Sequence, residues 1–275
     1  GIIISSRPLV ESVPIQPASM EGRTIVQWDK DDCSNAGLIK IDLLGLGMMT
    51  LIHRAFRLIE RHHGHCLTLS GFTFNDSKVY DAICDADTVG VFQLESRAQM
   101  AALPRTRPRT FYDLVVEIAI IRPGPMSTKM HRNWILRRLG YEPVTYLAPA
   151  LEPVLKRTLG LPIFQEQCMQ MAMAVAGFSA AKADALRQAM SRKRSIKHIQ
   201  SLQADLISGM SASGVPKDIQ EEIYSQIEGY AGYGFPEAHA CAFALLVYVS
   251  AWLKVHYPTE FTCAILNSQP MGFYH

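Results

Sequence analysis

The sequence lacks the features that mark secreted and membrane-spanning proteins. Its six cysteines lie far apart and never at the paired spacings of a disulfide framework or a zinc ribbon, which favours reduced thiols in a cytosolic protein. No secretory signal is visible. The longest strongly apolar run, residues 241–253, is too short to span a bilayer. We therefore expect a cytoplasmic protein with no membrane segment.

The sequence also has little net charge, since 27 Lys and Arg residues oppose 25 Asp and Glu residues to give +2. The charges are unevenly distributed, however. Residues 97–138 contain nine basic residues against two acidic ones, and residues 187–198 contain five against none. Such segregation suits a face that meets a polyanion on an otherwise acidic body, and scattered solvated charge is the alternative.

Apolar patterning predicts a short mixed segment followed by a helical one. The chain of 275 residues, 48% of them hydrophobic, can bury a sizeable core in one or two domains. Residues 1–35 contain short β-like runs with proline breaks, and a strand is expected over 37–43. A helix is expected over about 46–63, with Gly64 as its stop. The rest of the chain after about residue 75 has helical patterning, with short loops.

Within this helical part, three boundaries are predicted from local signals. Residues 165–176 have the apolar composition of a helix, and Ser179 is a plausible N-cap for the next one. A long buried helix is expected to end at Pro258. The prolines around Gly124 predict a rigid break after the apolar run that ends at Ile121.

A lysine and an aspartate stand two residues apart on the predicted strand, at Lys40 and Asp42. Because side chains alternate along a strand, they share one face, while Ile39, Ile41 and Leu43 point to the other. At the end of a buried strand both charges need compensation. A metal-bound phosphate would supply it, with Asp42 holding the cation and Lys40 meeting the phosphate oxygens. A structural Lys–Asp pair is the alternative.

Several motifs occur in a fixed order along nearly the whole chain. They are residues 37–46 (GLIKIDLLGL), 91–97 (VFQLESR), 121–125 (IRPGP), 164–167 (FQEQ), 186–190 (LRQAM), 232–235 (GYGF) with His239, and 252–258 (WLKVHYP). In this order they resemble the alpha subunit of bacterial DNA polymerase III, a C-family DNA polymerase. Residues 19–30 and 269–274 look like the error-prone branch of that family.

This resemblance implies an α+β fold and a nucleotidyl-transfer chemistry. Residues 1–65 would form the C-terminal part of a nucleotidyltransferase-type palm, and residues 66–275 an α-helical fingers domain. The family adds dNTPs to a primer 3′ end by two-metal chemistry with Mg²⁺ as cofactor. Asp42 is the expected metal ligand and, with Lys40, the expected catalytic pair.

The resemblance also implies that this chain is a fragment that is inactive alone. The family's other two metal carboxylates lie on an upstream Asp-x-Asp pair, and no credible strand of this chain carries one. Asp85 and Asp87 have the spacing, but their neighbours indicate a turn.

Candidate nucleotide- and DNA-binding residues follow from the matched motifs. They are Arg97, Arg122, Arg187, Arg192, Lys193, Tyr233 and His239. Guanidinium groups suit phosphate geometry, and an aromatic ring beside glycine can approach a base or sugar. Three further arginines, Arg105, Arg107 and Arg109, read as an exposed basic loop suited to a duplex backbone. Replicative members carry Lys-Ser where this chain has Glu237 and Ala238, which places an anion near the expected phosphate path.

The implied partners are primer–template DNA, dNTP, the sliding clamp and translesion accessory proteins, and no membrane. Two rival functions use other features of the chain. A non-catalytic basic helical module that binds DNA would explain the charge segregation but not Lys40 and Asp42. A nucleotide-binding oxidoreductase would use Gly45 and Gly47 as a phosphate loop, although Thr50 stands at the third glycine position. The tract of residues 62–66 (HHGHC) has metal-ligand types but is more typical of a solvated helix end.

Overall fold

A computed structural model of the protein describes residues 1–41, 43–122, 130–192, 196–231, 235–270 and 272. The strands are β1 (Ile2–Ile4), β2 (Ile15–Pro17), β3 (Thr24–Val26) and β4 (Ile39–Ile41). The helices are α1 (Lys30–Asn35), α2 (Leu46–His63), α3 (Ser77–Cys84), α4 (Arg97–Thr106), α5 (Phe111–Ile120), α6 (Met130–Arg138), α7 (Glu152–Leu155), α8 (Gln165–Ala176), α9 (Ala180–Arg192), α10 (Ile196–Ala212), α11 (Lys217–Ala231), α12 (Glu237–His256) and α13 (Pro258–Ser268). The predicted α+β class is confirmed.

The strands form two antiparallel pairs, β1 with β4 and β2 with β3. In the first pair, Ile2 lies opposite Ile41 and Ile4 opposite Ile39. Residues that lie directly opposite in an antiparallel pair share one face. The four isoleucines therefore form one face and Lys40 belongs to the other, as the alternation predicts.

The predicted strand over 37–43 is shorter and more exposed than the sequence indicates. β4 covers Ile39–Ile41 only, and all three residues are exposed, with Ile39 retaining 62% of its accessible surface. The prediction of a buried strand is therefore wrong. The physical reason is that β4 pairs with β1 alone among the described strands, and its isoleucine face stays open to solvent.

Most predicted helix boundaries are confirmed. α2 spans the expected residues and ends at Gly64, whose φ of 72° lies in the left-handed region that glycine tolerates. α8 has the predicted bounds. Ser179 accepts the Lys182 N–H at 3.3 Å and so caps α9 as predicted. The α1 helix and strand β2 have no counterpart in the sequence prediction.

Two hydrophobic cores organise the helices. The first contains buried residues of α2 to α6, α12 and α13, and α12 packs on α2, α3, α5 and α13. The second is formed by buried residues between positions 148 and 227, apart from those at positions 161, 163 and 164, which belong to the first, and in it α8 packs on α9, α10 and α11. α2 belongs to the first core, together with the helices at the other end of the chain. The domain boundary near residue 65 stays a prediction.

α12 is long and apolar enough, by length and composition, to cross a membrane, and it is the one such helix in the described ranges. Half of the most apolar 18-residue stretch of this helix is buried inside the structure. Its buried residues belong to the first core, which accounts for its composition. This helix is therefore weak evidence for a membrane segment.

Candidate functional site

Lys40 faces a cavity of about 720 Å³ beside the β1–β4 pair. The cavity also takes in Arg23, Asp29 and Cys33, so its side chains combine cations, a carboxylate and a buried thiol. The Lys40 side chain is exposed and can reach an anion from solvent. Asp42 lies outside the described residues, so its position beside Lys40 stays a prediction.

A pocket of about 210 Å³ joins three of the predicted motifs. Its walls include a residue of the segment after the Lys40 strand and the residues directly before Arg97 and Arg122. Gln99 Nε2 donates to the Ile121 carbonyl at 3.4 Å and so joins the start of α4 to the end of α5. The pocket is thus bounded by the residues that directly precede Arg97 and Arg122 in the chain.

Arg122 is half-buried just beyond the end of α5. Its guanidinium carbon lies 4.3 Å from the centroid of the Phe235 ring, within the range of a cation–π contact. Its Nη1 is buried and has no hydrogen-bond partner. Burial lowers the pKa of this guanidinium, but arginine stays charged at neutral pH. A buried N–H of a cation without an acceptor is costly, so this atom marks a place where an anion would be stabilised.

A seam between the two cores lies beneath Arg122. In the seam, residues 164–166 run beside residues 235–237. Three contacts join the segments: a parallel β-bridge between Phe164 and Phe235, a hydrogen bond of 3.1 Å from the Gln165 N–H to the Phe235 carbonyl, and one of 3.0 Å from the Glu237 N–H to Glu166 Oε2. The backbone of Phe235, whose ring lies under Arg122, is thus held by the segment that begins α8, where Phe164 is still part of the first core.

At this seam the negative charge of the Glu237 carboxylate is paired with a cation. Tyr112 O–H donates to its Oε1 at 2.7 Å, and Arg157 Nη2 donates to its Oε2 at 2.8 Å. The Arg157 guanidinium also lies 5.8 Å from the Tyr112 ring centroid. Burial and the neighbouring carboxylate raise the pKa of the Tyr112 hydroxyl, which keeps it a donor. Glu237 is therefore engaged in a network within the protein.

His239 lies in a column of aromatic rings on α12. Its ring centroid is 5.0 Å from that of Phe235 and 4.1 Å from that of Phe243. Phe243 in turn meets Phe92 at 5.0 Å. His239 thus neighbours the ring that supports Arg122, and its nucleotide contact stays a prediction.

Arg187 is on α9, in the second core. Its Nε and Nη2 donate to Asp184 Oδ1 at 2.9 and 2.8 Å, and these bonds lower the pKa of the Asp184 carboxyl. Arg187 shares a small apolar pocket with Gln165, which is part of the seam. The seam therefore connects the surroundings of Arg122 and Arg187, which are predicted from separate motifs.

Several of the basic residues between 97 and 138 are engaged within the protein. Arg109 pairs with Asp81 at 2.5 Å, and Arg138 pairs with Asp113 at 2.6 Å. In the described part of the chain, four exposed arginines of this segment have side chains without an ion pair or hydrogen bond: Arg97, Arg105, Arg107 and Arg132. The basic segment therefore keeps cations that can meet a polyanion.

The histidine tract at the end of α2 is tied to the α12–α13 junction. His63 Nε2 bonds with Glu260 at 2.8 Å, and His65 Nδ1 bonds with the Tyr257 hydroxyl at 2.7 Å. Across the residues that the structure describes, no group of three His, Cys, Asp or Glu side chains could hold a metal. Asp85 follows α3 in a turn, as predicted, and Asp87 accepts from Lys254 Nζ at 2.6 Å.

Three predicted site residues, Asp42, Lys193 and Tyr233, lie outside the described residues, as does the side chain of Arg192. Arg157 and Tyr112 are not among the predicted site residues, and Phe235 enters the prediction only as part of the 232–235 motif. The only sequence signal for them is proximity to matched motifs, because their contacts join residues 80 to 125 positions apart.

Two models of one protein family match most of the chain. A model described as the bacterial DNA polymerase III alpha subunit finger domain matches residues 48–214. A model described as the bacterial DNA polymerase III alpha NTPase domain matches residues 1–45.

Similar curated proteins carry the name error-prone DNA polymerase. The one from Cutibacterium acnes is 53% identical over 274 residues, which cover 100% of this chain and 24% of that protein. Those from Alkalilimnicola ehrlichii and Anaeromyxobacter dehalogenans are 55% and 53% identical, again over 100% of this chain and over 27% and 25% of their own lengths. The chain thus spans about a quarter of the length of these relatives.

Proposed function

This chain belongs to the bacterial DNA polymerase III alpha subunit family, and on that premise we propose that it is part of a DNA-directed DNA polymerase. The reaction is transfer of a dNTP to a primer 3′ end on a DNA template. Because its relatives are named error-prone polymerases, we assign it to error-prone, translesion and repair synthesis. The chain contributes the end of the palm up to about residue 65, and helical fingers beyond it.

The observation that supports this proposal best is the environment of the Arg122 guanidinium. A half-buried guanidinium rests on Phe235 and keeps one buried N–H without an acceptor. Stacking on the Phe235 ring holds the Arg122 guanidinium in place, and an oxygen of the triphosphate would accept a hydrogen bond from its free N–H. We assign Arg122 to the incoming nucleotide, and Arg97 and Arg187, with Arg192 and Lys193, to phosphates of nucleotide or DNA. Tyr233 and His239 are assigned to the same nucleotide-binding face.

Mg²⁺ is the cofactor that this reaction needs, because divalent cations activate the primer hydroxyl and steady the triphosphate. The donor set described in this chain does not by itself fit a two-metal centre. We therefore propose that Asp42 is one metal ligand and Lys40 its phosphate-facing neighbour. The remaining carboxylates belong to the part of such proteins that this chain does not cover.

The proposed partners are primer–template DNA and dNTP in the cytoplasm. A sliding clamp and translesion accessory proteins are proposed on the family resemblance alone.

The deciding experiment is primer extension by the whole protein that contains this chain. Asp42→Asn should abolish dNTP incorporation while primer–template binding stays within about twofold, because the substitution removes one charge from a metal site. Asp32→Asn, at an exposed position of α1, is the matched control and should leave extension intact. Unchanged extension in Asp42→Asn would refute the metal role of this residue.

The alternative is a non-catalytic module that binds DNA through its basic face. The four unpaired arginines favour it as much as they favour a polymerase. The same experiment separates the two, because a binding module extends no primer and is indifferent to Asp42→Asn.

A further inference from the structure

Glu237 is held on every side by groups from different parts of the fold. Its carboxylate accepts from Tyr112 on α5 and from Arg157 in the turn that follows α7, while its backbone N–H donates to Glu166 at the start of α8. The Glu237 side chain is only 15% exposed, whereas Arg157 retains 43% of its side-chain surface. Both carboxylate oxygens are therefore used, and solvent enters from the Arg157 side.

These contacts tie the two cores together at the place where Arg122 rests. Tyr112 and Glu237 belong to helices that pack in the first core, and Arg157 and Glu166 lie on segments that flank the second. Residue 235, two positions before Glu237, carries the ring under Arg122. A shift of the second core at the seam would therefore move this ring and change how the Arg122 guanidinium is presented.

We propose that Glu237 is a positioning residue, whose carboxylate, clamped by Arg157 and Tyr112, latches the two cores and sets the presentation of Arg122 to the incoming nucleotide. This inference rests on the proposed polymerase function and adds a determinant of nucleotide use to it. The latch acts through Phe235, so Glu237 touches neither nucleotide nor metal. Its chemistry is an ion pair reinforced by a neutral hydroxyl donor, which is directional and depends on both partners.

The geometry distinguishes this positioning role from one in which Glu237 would face the nucleotide directly. An acidic side chain facing the phosphate path would repel the triphosphate, and it would have a carboxylate oxygen turned to solvent. In the structure both oxygens are hydrogen-bonded at 2.7 and 2.8 Å within the protein. The anion is thereby removed from the nucleotide path, and its contribution lies in holding the seam.

The first arm of the test measures the latch without any reaction. Cys241 lies one turn after Glu237 and is partly buried; burial and the Glu237 carboxylate both raise the pKa of its thiol, so the latch is tested with a substitution that leaves this charge in place. In the whole protein with the exposed Cys66 and Cys263 replaced by serine, Tyr112→Phe, which removes a hydrogen bond to Glu237 but no charge, should speed labelling of Cys241 by a maleimide about fivefold, as expected when a neutral hydrogen bond is lost. Labelling at the rate of the unsubstituted protein would overturn the latch.

The matched control is an ion pair elsewhere in the second core. Asp205 forms an ion pair with Lys182 at 2.8 Å. The Lys182 side chain is 39% exposed, a fraction similar to the 43% of Arg157. Asp205→Asn should leave Cys241 labelling unchanged. An equal acceleration in Asp205→Asn would show general loosening and would overturn the specific role of Glu237.

The second arm measures nucleotide use by single-nucleotide primer extension. Glu237→Gln should raise the KM for dNTP about tenfold with kcat within about twofold, because ground-state presentation of the nucleotide is what changes. The charge-reversed pair Glu237→Arg with Arg157→Glu should recover most of the loss. An unaltered KM, or no recovery by the reversed pair, would overturn the inference. If the unsubstituted protein extends no primer, the proposed function fails, and the thiol arm still decides whether the latch exists.

Discussion

Glu117 carries a carboxyl group in the interior of the first core, at the middle of α5. It is fully buried, and neither of its oxygens has a hydrogen-bond partner. The Thr106 hydroxyl beside it, on α4, donates to the carbonyls of its own helix instead. Burial raises the pKa of Glu117 to about 7, with Asp113 on α5 acting in the same direction and Arg138 on α6 against it. The carboxyl is therefore protonated in the folded protein below about pH 7.

This residue makes the stability of the protein depend on pH. The folded pKa of Glu117 exceeds the unfolded value of 4.5, so the folded state binds the proton more tightly between pH 4.5 and 7 and loses stability as the pH rises through that window. Glu117→Leu should therefore raise the free energy of unfolding by about 3 kcal/mol more at pH 8 than at pH 4.5. Thermal denaturation across this range measures it.

The control for this prediction is Glu152→Gln, because Glu152 is exposed and forms a surface pair with Lys156. It should leave the pH profile of stability unchanged. If Glu117→Leu gave the same stability increment at both pH values, the raised pKa would be refuted.

At the scale of elements, the start of α2 shows how one glycine pattern can serve packing. The oxidoreductase hypothesis uses Gly45 and Gly47 as a phosphate loop, which in dinucleotide-binding folds follows a strand of a parallel sheet. The described strands form only antiparallel pairs, so that hypothesis is wrong for this chain. A Cβ at position 47 would lie 2.9 Å from the Pro270 Cα, whereas one at position 45 would lie 3.4 Å from Leu246. Gly47 therefore permits close approach of the C-terminal segment.

Gly47→Ala should destabilise the protein by about 1–2 kcal/mol, because backbone atoms of Pro270 have little room to move. Gly45→Ala is the matched control, and its ordinary contact predicts a change below about 0.5 kcal/mol. Chemical denaturation of the two variants provides the comparison. Equal effects at the two positions would contradict a packing role for Gly47.

Local signals are sufficient for some elements and insufficient for others. Gly64 and Ser179 mark helix ends because left-handed backbone and N-cap hydrogen bonds are short-range requirements. The exposure of β4 is not local, since a run of isoleucines indicates burial without saying which neighbours supply it. α1 has no counterpart in the prediction because it is a short polar helix, whose sequence carries no apolar period.

At the scale of the whole molecule, the site is assembled from residues that the sequence separates widely. The matched motifs predict Arg122, Arg187 and His239 as separate binding residues and say nothing of how they lie relative to one another. Their arrangement around a seam follows from contacts such as Tyr112 with Glu237, which are 125 positions apart. Such contacts depend on how the two cores pack, and no periodicity in the sequence encodes them.

The unpaired arginines predict a salt-dependent affinity for DNA. Replacing Arg105 and Arg107 together by glutamine should reduce the slope of log K against log salt by about 2, one unit for each lost phosphate contact. Lys156→Gln, which removes an exposed cation outside the basic segment, should leave the slope unchanged. Fluorescence anisotropy of primer–template DNA at several salt concentrations measures this. If the double variant had the same slope as the unsubstituted protein, Arg105 and Arg107 would not contact the DNA backbone.

The measurement that tests the central claim most directly is a single-turnover dNTP titration of the whole protein with Arg122→Gln. If the stacked guanidinium receives the triphosphate, the apparent Kd for dNTP should rise about tenfold to a hundredfold, the range for loss of a charged hydrogen bond. Affinity for primer–template DNA should change by less than about twofold. An unchanged dNTP Kd together with weakened DNA binding would contradict the account and assign Arg122 to the DNA backbone.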